Sequence, residues 1–453
     1  MFKRILIANR GEIAVRVIRA CRDLGLKAIA VYSEADADAL HVKLADEAVC
    51  IGPAPASESY LKPAAILSAA EITSADAIHP GFGFLSENPR FAEMCLECGF
   101  EFIGPAPRVI RGMGDKAAAR DLMRRAGVPV TPGSDGVVSD PAAARGLAAR
   151  LGYPVLVKAV AGGGGKGMRT AANEAELDAA FRTASTEALR AFGNGDCYLE
   201  KLVVRARHIE VQLVADRRGH AYAPGERDCS LQRRHQKLLE ETPSPALTPA
   251  RRRKLLAAAL RAAEACRLDS LATIEFLWDE DAQEFYFMEM NTRIQVEHPV
   301  TEETTGLDLV QAQILAAAGE PLPPDPWNAA PSGHAIEVRV NAENPYRNFT
   351  PSPGRIEALH FPGGPGIRVD SHLYTGYAVP PNYDSMLAKV IARGPTRDVA
   401  IARMRRALSE FEIAGVHTTV PVAQALLYDS RFLKGAYDTR FLERFMSEVF
   451  QLP

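Results

Sequence analysis

Apolar strand-length runs alternate with stripes of helical period from the first residues onward. FKRILIA is a short apolar strand, Asn9-Arg10-Gly11 a turn, EIAVRVIRACRDLG a helix with apolar positions at helical spacing, and KAIAVYS a second strand. The alternation continues through a helix around SYLKPAAILSAAEITSA, the strand ADAIHP, the glycine-bearing loop GFGFLSEN and the strand FEFIG near residue 103. Residues 1–113 therefore predict an open parallel α/β domain. A second domain, 114–330, starts at Asp115-Lys116. After the turn VPVTPGSDG it predicts a helix ending near Leu151, a strand over Tyr153–Ala161, a glycine run, the strand MRTA, and a helix opened by Asn173 with Glu176 three residues on, the pattern of a capping box. Residues 131–203 are expected to move as a subdomain. Thr248-Pro249 opens a long helix, threonine as cap and proline at the first helical position, whose RRRK run reads as a solvated face. The proline-rich tract GEPLPPDPWNAAPSG leads into a third domain, 331–453, where short strands, the turns SPG and GGPG and a terminal helix pattern predict an α+β cap.

Length and composition agree with several domains. At 453 residues the chain exceeds the roughly 250–300 at which a single core stops growing. A composition 47% apolar and 24% charged, with a formal net charge of −3, argues against disorder and against nucleic acid as a partner. No apolar run approaches the roughly 18 residues that span a bilayer, and MFKRILIANRGEIAV lacks a signal-peptide pattern, so no membrane partner and a cytoplasmic location are expected. Seven scattered cysteines fit a reducing compartment. Cys95 and Cys98 form the lone Cys-x-x-Cys; with no second pair or nearby histidine, and with both placed on the core face of the helix PRFAEMCLECG, they predict packing and not metal or redox use.

The densest candidate chemistry lies between residues 275 and 298. ATIEFLW and EFYFMEM flank a polar DEDAQ, which predicts a β-hairpin. With pairing symmetric about residue 282, Glu275 faces Glu289 across the ladder. Like charges with Cβ atoms roughly 5 Å apart destabilise a sheet unless something positive lies between them, and a divalent cation meets that need. Asn291, two residues on and on the same face, adds a third hard oxygen donor suited to Mg²⁺ or Mn²⁺. A solvated hairpin is the plainer alternative. Arg293, Gln295 and Glu297 alternate with Ile294 and Val296, so an extended backbone turns the polar three to one side, where an arginine holds an anion and a carboxylate takes its proton. An ordinary surface Arg–Glu pair is the alternative there.

Gly162 to Gly165, Lys166 and Gly167 follow the apolar strand PVLVKAVA, a sequence able to close backbone N–H groups around phosphates. GGGGKG satisfies G-x-G-x-x-G in form, but MRTA predicts a strand where a Rossmann helix would begin; Walker A fails because Lys166 precedes glycine and Val160 stands at the first glycine position. A flexible linker remains open. Lys158, just before the loop, and Lys116, at the start of the preceding helix, are candidates to reach the same phosphates; taken singly, each reads as a solvated surface lysine. Arg233-Arg234-His235-Gln236-Lys237 follows ERDCSLQ in a segment that reads as too charged for a core, and therefore as lying in solvent or on an anion.

Taken together, ANRGEIA, HPGFGFLSEN, KAVAGGGGKGMR, ERDCSLQRRHQK, EMNTRIQVEHPVTE and NYDSMLAK resemble the motifs of the biotin carboxylase family of the ATP-grasp superfamily, in family order over nearly the whole chain. The resemblance implies a pre-ATP-grasp domain, an ATP-grasp domain with a glycine-rich lid, and a C-terminal biotin carboxylase domain. It implies that ATP and bicarbonate give carboxyphosphate, and that the carboxyl group passes to N1′ of biotin on a carrier. By the same resemblance, ATP belongs with Lys116, Lys158, Gly164, Gly165, the hinge Glu200-Lys201-Leu202-Val203, His208, Gln232, His235, Glu275 and Leu277, and two metal ions with Glu275, Glu289 and Asn291. Bicarbonate belongs with Lys237, Arg293, Gln295, Val296 and Glu297, Glu297 being the general base and Arg339 stabilising the enolate-like biotin.

Phe82 departs from the tyrosine usual in HPGYG, Ser270-Leu271-Ala272 from a glycine-containing GAG, and Asn344 from the usual acid in NAED; none removes a catalytic group, though Phe82 lacks a hydroxyl on the expected biotin side. Pro365 lies where some relatives dimerise, and a homodimer is expected. None of the ten methionines is followed by lysine, so the Met-Lys-Met setting of a biotinyl lysine is missing, and carrier and carboxyltransferase are expected on separate chains. A carboxylate–amine ligase would share the glycine loop and metal acids without needing RIQVE and Arg339; a non-catalytic nucleotide-binding subunit would have lost an acid or a lysine. Acetyl-CoA, another acyl-CoA, pyruvate and urea all remain open as final acceptor.

Overall fold

The computed structural model describes residues 1–134, 136–138, 140–159, 168–234, 236–322, 324–327 and 330–450. Gly164, Gly165, Lys166 and His235 lie outside the described residues. Two compact units are present: residues 1–128, 207–276 and 289–453 make one, residues 129–206 and 277–288 the other.

The first unit begins with a parallel sheet of β1 (Arg4–Ile7), β2 (Lys27–Tyr32), β3 (Glu47–Cys50), β4 (Ala77–His79) and β5 (Glu101–Phe102), ordered β3-β2-β1-β4-β5. The helix Gly11–Asp23 lays Ile13, Ala14, Val17, Ile18 and Cys21 into the core with Ile5 and Ile7, as the apolar spacing of that segment requires. Asn9 fixes the turn above it: its Nδ2 donates to the carbonyls of Pro80 at 2.7 Å and Phe82 at 2.8 Å. Gly81, at φ +62°, has no alternative, since a Cβ there would stand 2.8 Å from Asn9 Nδ2. Only one cysteine of the Cys-x-x-Cys faces the core. Cys95 is buried, whereas the helix Pro89–Glu97 ends before Cys98, which turns outward at the cap and is exposed.

In the second unit, β6 (Val155–Ala159), β7 (Met168–Ala171) and β8 (Cys197–Lys201) form an antiparallel sheet ordered β7-β6-β8. The helices Pro141–Leu151 and Glu174–Phe192 cover it, and Ala144, Val155, Val157, Leu177, Phe181 and Leu199 share one core. Asn173 caps the second helix by accepting from Glu176 N at 3.2 Å, while Glu176 reaches back to Ala172 N at 2.9 Å. Residues 277–288 join this unit through Phe287 N, which donates to Pro129 O at 2.7 Å, and Glu280 N, which donates to Arg205 O at 3.0 Å.

The dominant sheet has eight strands: β9 (Ala206–Ala215), β10 (Ala221–Arg233), β11 (Gln236–Thr242), β12 (Leu271–Asp279), β13 (Glu284–Asn291), β14 (His334–Asn341), β15 (Ile367–Ser371) and β16 (Met386–Gly394), ordered β13-β12-β9-β10-β11-β14-β16-β15. Three strands after residue 333, β14, β15 and β16, thus extend the sheet begun by β9–β13, while the shorter strands of this region pair in two-stranded sheets of their own. β14, HAIEVRVN, shows why the sheet has two unlike faces. Ile336, Val338 and Val340 join Met404 and Leu408 of the helix Arg397–Glu410 in an apolar core, and the alternate residues Glu337 and Arg339 point the other way.

Two readings of charged segments need correction. ERDCS is core: Glu226, Arg227, Asp228, Cys229 and Ser230 are all buried on β10. Burial is tolerated because the charges meet partners, Arg227 donating to Glu210 at 2.5 Å, Gln212 and Thr301 at 2.9 Å, and Thr273 at 3.2 Å. The RRRK run is not wholly solvated either, since half-buried Arg252 donates to Glu226 at 2.6 Å.

Candidate active site

Strand order brings the charged face together. β12, β9, β10, β11 and β14 are successive neighbours, so Glu275, Glu210, Cys229, Lys237 and Arg339, distant in sequence, gather beside Glu297. Lys237 Nζ donates to Glu210 at 2.7 Å and to Glu297 Oε1, and lies 3.5 Å from Glu275. Arg339 takes the other oxygen of Glu297 at 2.9 Å and is gripped by Glu240, which accepts from its Nε at 2.6 Å. Burial alone would raise the proton affinity of Glu297, but Lys237, Arg339 and Arg227 outweigh it and hold the carboxyl well below the usual range. Lys237 is pushed well up despite its burial by Cys229, Glu210 and Glu297. The result is a dry carboxylate ionised at neutral pH, with a cation on each oxygen.

The segment after β13 is extended only in part, since Val296 and Glu297 form a turn leading into the helix His298–Thr305. Glu297 reaches Lys237 from that turn, not from a continuous polar face. Arg293 and Gln295 do share a side: Arg293 Nη1 donates to Gln295 Oε1 at 3.1 Å, Nη2 to Asn291 Oδ1 at 3.0 Å, and Nε to Glu87 at 2.7 Å. Val296 offers its carbonyl to Lys389 at 2.9 Å.

Glu275 is buried and crowded: Asn291 Nδ2 donates to it at 2.9 Å and Gln295 Nε2 at 3.1 Å, and His208 Nε2 lies 2.9 Å away as an ion-pair partner. Burial pushes it up, and Lys237 and His208 more than reverse this, holding it well below the usual range. Glu289 is raised, first by burial and then by Glu275, and faces Lys116 at 3.7 Å. Two acids, of which the ionised Glu275 raises the proton affinity of Glu289, with an amide beside them, fit a divalent cation. Asn291 Oδ1 is held by Arg293 and must be released to serve as a ligand. Gln232 pairs with Lys237 across β10 and β11 and is half-buried.

Of the residues expected around a nucleotide, the second unit carries Lys158, paired with Glu200 across β6 and β8, and Lys201, whose Nζ donates to the carbonyls of Gly152 at 2.8 Å and Tyr153 at 3.0 Å. Leu202 N donates to Pro154 O at 3.1 Å, Val203 is buried, and Leu277 is half-buried.

Three family descriptions match in succession: "Biotin carboxylase, N-terminal domain" over residues 1–110, "Carbamoyl-phosphate synthase L chain, ATP binding domain" over 115–324, and "Biotin carboxylase C-terminal domain" over 337–444. Biotin carboxylase 1 of Bacillus subtilis is 54% identical over 445 residues, covering 98% of this chain and 99% of its own. The chain belongs to the biotin carboxylase family. A pyruvate carboxylase component of Methanothermobacter thermautotrophicus is 51% identical, covering 98% of this chain and 90% of its own. Among solved structures, the β,γ-ATP complex of Campylobacter jejuni biotin carboxylase superposes with a TM-score of 0.92 at 48% identity, covering 98% and 99% of the two chains. The biotin carboxylase domain dimer of Hydrogenobacter thermophilus 2-oxoglutarate carboxylase, bound to MgADP, ADP and bicarbonate, superposes at 0.91 and 48% identity, covering 100% and 99%. The fold is that of the family's ATP-grasp enzymes.

Sequence reasoning passed over Glu87, Glu210 and Glu240 in this biotin carboxylase fold. Glu87 ties the HPGFGFLSEN loop to the arginine segment, accepting from Thr292 N at 3.1 Å as well as from Arg293. It lies inside a motif already singled out, and an unpaired acid there was the available signal. Glu210 and Glu240 stand in strands that are buried nearly throughout, ARHIEVQLVA and QKLLEET, where an acid needs a cation opposite.

Proposed function

We propose that the chain uses ATP and bicarbonate to form carboxyphosphate and carboxylates N1′ of biotin on a separate carrier protein. The observation that carries this reading is the convergence of Lys237 and Arg339 on the two oxygens of one buried carboxylate, Glu297. Arg293, Gln295 and the Val296 segment adjoin it and supply donors for a small planar anion. As bicarbonate enters, Lys237 turns its charge to the new anion, and the proton affinity of Glu297 rises as that cation is shared. A carboxylate idle in the resting protein thereby becomes a base when its substrate is present. Arg339 then faces the ureido oxygen of biotin and stabilises charge developing there. Glu275, Glu289 and Asn291 would hold Mg²⁺ or Mn²⁺, two ions in all, which neutralise phosphate charge. Lys116, Lys158, the 200–203 hinge, His208, Gln232, Leu277 and, outside the described residues, Gly164, Gly165 and His235 complete our assignment of the nucleotide contacts.

The acceptor of the second half-reaction is read by other chains. The Bacillus biotin carboxylase and the Methanothermobacter pyruvate carboxylase component are 54% and 51% identical, and the 2-oxoglutarate carboxylase domain 48%, so similarity favours no one acceptor and points to a biotin step common to all. We further infer paired copies, as in the Hydrogenobacter domain dimer, and a cytoplasmic enzyme; no helix among the described residues is long and apolar enough to cross a membrane. Intact mass and turnover test the reading together. The purified chain should carry no biotin adduct, carboxylate free biotin slowly with ATP and bicarbonate, and act much faster on a biotinylated carrier, because tethering raises effective concentration. An adduct on this polypeptide, or ATP cleavage indifferent to biotin, would overturn it.

A further inference from the structure

Behind Arg339 stands a carboxyl group that the mechanism above leaves unused. Glu337 lies two residues earlier on β14 and so on the same face, and the register of β11 with β14 sets it directly opposite Glu240. Directly opposed residues have Cβ atoms about 5 Å apart. Both side chains are fully buried. Glu240 Oε1 accepts from Arg339; among the described residues, the other oxygen of Glu240 and both oxygens of Glu337 have no hydrogen-bond partner. The neighbouring cations are engaged elsewhere. Lys389, opposite Arg339 in the β14–β16 register, pairs with Glu12 at 3.1 Å and donates to Val296 O, and Lys237 is shared among Glu210, Glu275 and Glu297. Two ionised carboxylates side by side in a buried setting, with the guanidinium engaged by Glu240 and Glu297 and not by Glu337, are strongly disfavoured, and a single proton removes the conflict.

We propose that Glu240 and Glu337 share one proton and act as a positioning pair for Arg339, with ionised Glu240 aiming the guanidinium and protonated Glu337 declining to compete for it. This rests on the assignment of Arg339 to biotin made above. The electrostatic surroundings agree. Burial pushes Glu240 up to about 7, with Arg339 and Lys237 opposing the rise and Glu297 adding to it. Glu337 is pushed well above the usual carboxylate range by burial and Glu240, against Lys389 and Arg339. When the shared proton leaves at alkaline pH, Glu337 gains a charge and draws Arg339 off its aim.

The test pairs infrared spectroscopy with kinetics. Wild-type protein at neutral pH should show the C=O stretch of a buried protonated carboxyl, and Glu337→Gln should lose it. KM for free biotin should climb at alkaline pH in the wild type, in step with loss of that band, and stay flat in Glu337→Gln. Glu240→Gln should raise KM for biotin by about tenfold with KM for ATP little changed. An identical band in Glu337→Gln and wild type overturns the shared proton, and wild-type biotin kinetics in Glu240→Gln overturn the positioning role. If Glu337→Gln does not fold, the wild-type band and its match to the alkaline rise in KM still decide, since absence of the band refutes the pair. Wild-type biotin kinetics in Arg339→Gln would instead remove the role of Arg339 itself, a failure distinguishable because the part of the band that Glu337→Gln removes reports on the pair and not on biotin binding.

Discussion

Lys237–Glu297 and Lys116–Glu289 are two lysine–glutamate pairs of the same unit, and they share little beyond their charges. The side chains of Lys237 and Glu297 are 9% and 0% exposed and in direct contact, whereas those of Lys116 and Glu289 are 68% and 42% exposed and 3.7 Å apart. Around the first pair, Arg339, Glu210, Glu275 and Arg227 complete a network in which each charge has a partner. The second pair has water as its alternative partner. A buried network is rigid because separating any two members strands a charge, so it is organised before substrate arrives. An exposed pair costs little to break and leaves both groups free for a ligand. The bicarbonate chemistry proposed for Lys237 and Glu297 needs the former, because an anion and a base must be held at fixed distance; the phosphate and metal binding proposed for Lys116 and Glu289 tolerates the latter.

The largest effect should follow from altering the centre of the buried network. Glu297→Gln should lower biotin-dependent turnover by about 10²–10⁴-fold with nucleotide affinity little changed, since only the proton acceptor is lost. Parallel losses in nucleotide affinity and turnover, measured by steady-state kinetics and direct titration, would show instead that Glu297 is structural.

The two acids proposed to hold the metal sharpen the contrast because one belongs to each class. Glu275→Gln and Glu289→Gln should both remove most activity and blunt the response to Mg²⁺. Only Glu275→Gln should also destabilise the fold, by about 2–4 kcal/mol, since it leaves His208 buried without its nearest acid and removes one of the three carboxylates around Lys237. Equal urea midpoints for the two variants would erase the distinction between them.

Much of this organisation was legible beforehand, and the failures have a common cause. Strands and helices set by local apolar period were readable, as were caps such as Asn173 and Thr248, because each depends on residues within one or two turns. The acids of 275–291 and the arginine segment were visible as clusters of types that demand partners. ERDCS was misread because its solvent-like composition is satisfied only by elements brought alongside from elsewhere in the sequence; Arg227 meets Glu210 and Thr273 through sheet order, and Thr301 on the helix His298–Thr305, none of which a local window contains. Glu240 and Glu337 went unnoticed for the same reason, since cross-strand register is a tertiary fact.

A third buried acid, away from the chemistry, tests whether pre-organisation also stabilises. Burial would raise the proton affinity of Glu241, but His334 at 2.6 Å and Arg397 at 2.7 Å hold its carboxyl down, to about 2. A depressed carboxylate contributes stability that is fully present above the unfolded value, near 4.3, and lost as pH falls through that value toward 2. Urea unfolding from pH 7 to pH 3 should therefore show a loss of about 2 kcal/mol that Glu241→Gln largely abolishes. An unchanged pH slope in the variant would mean that this network is electrostatically neutral to folding.

The smallest effect should come from the exposed pair. Lys116→Ala removes a cation whose partner keeps access to water, so unfolding free energy should change by no more than about 0.5 kcal/mol. Whatever change appears should shrink further in about 0.5 M salt, where screening acts over only a few ångströms. The same substitution should weaken nucleotide binding several-fold, because a phosphate arriving near Glu289 and its metal loses a neutralising charge that water cannot replace inside a closed complex. Calorimetric unfolding and nucleotide titration on one preparation separate the two roles. A stability loss as large as that of Glu275→Gln would show that the Lys116–Glu289 pair is part of the scaffold, and the division between a pre-organised network and a waiting pair would fall.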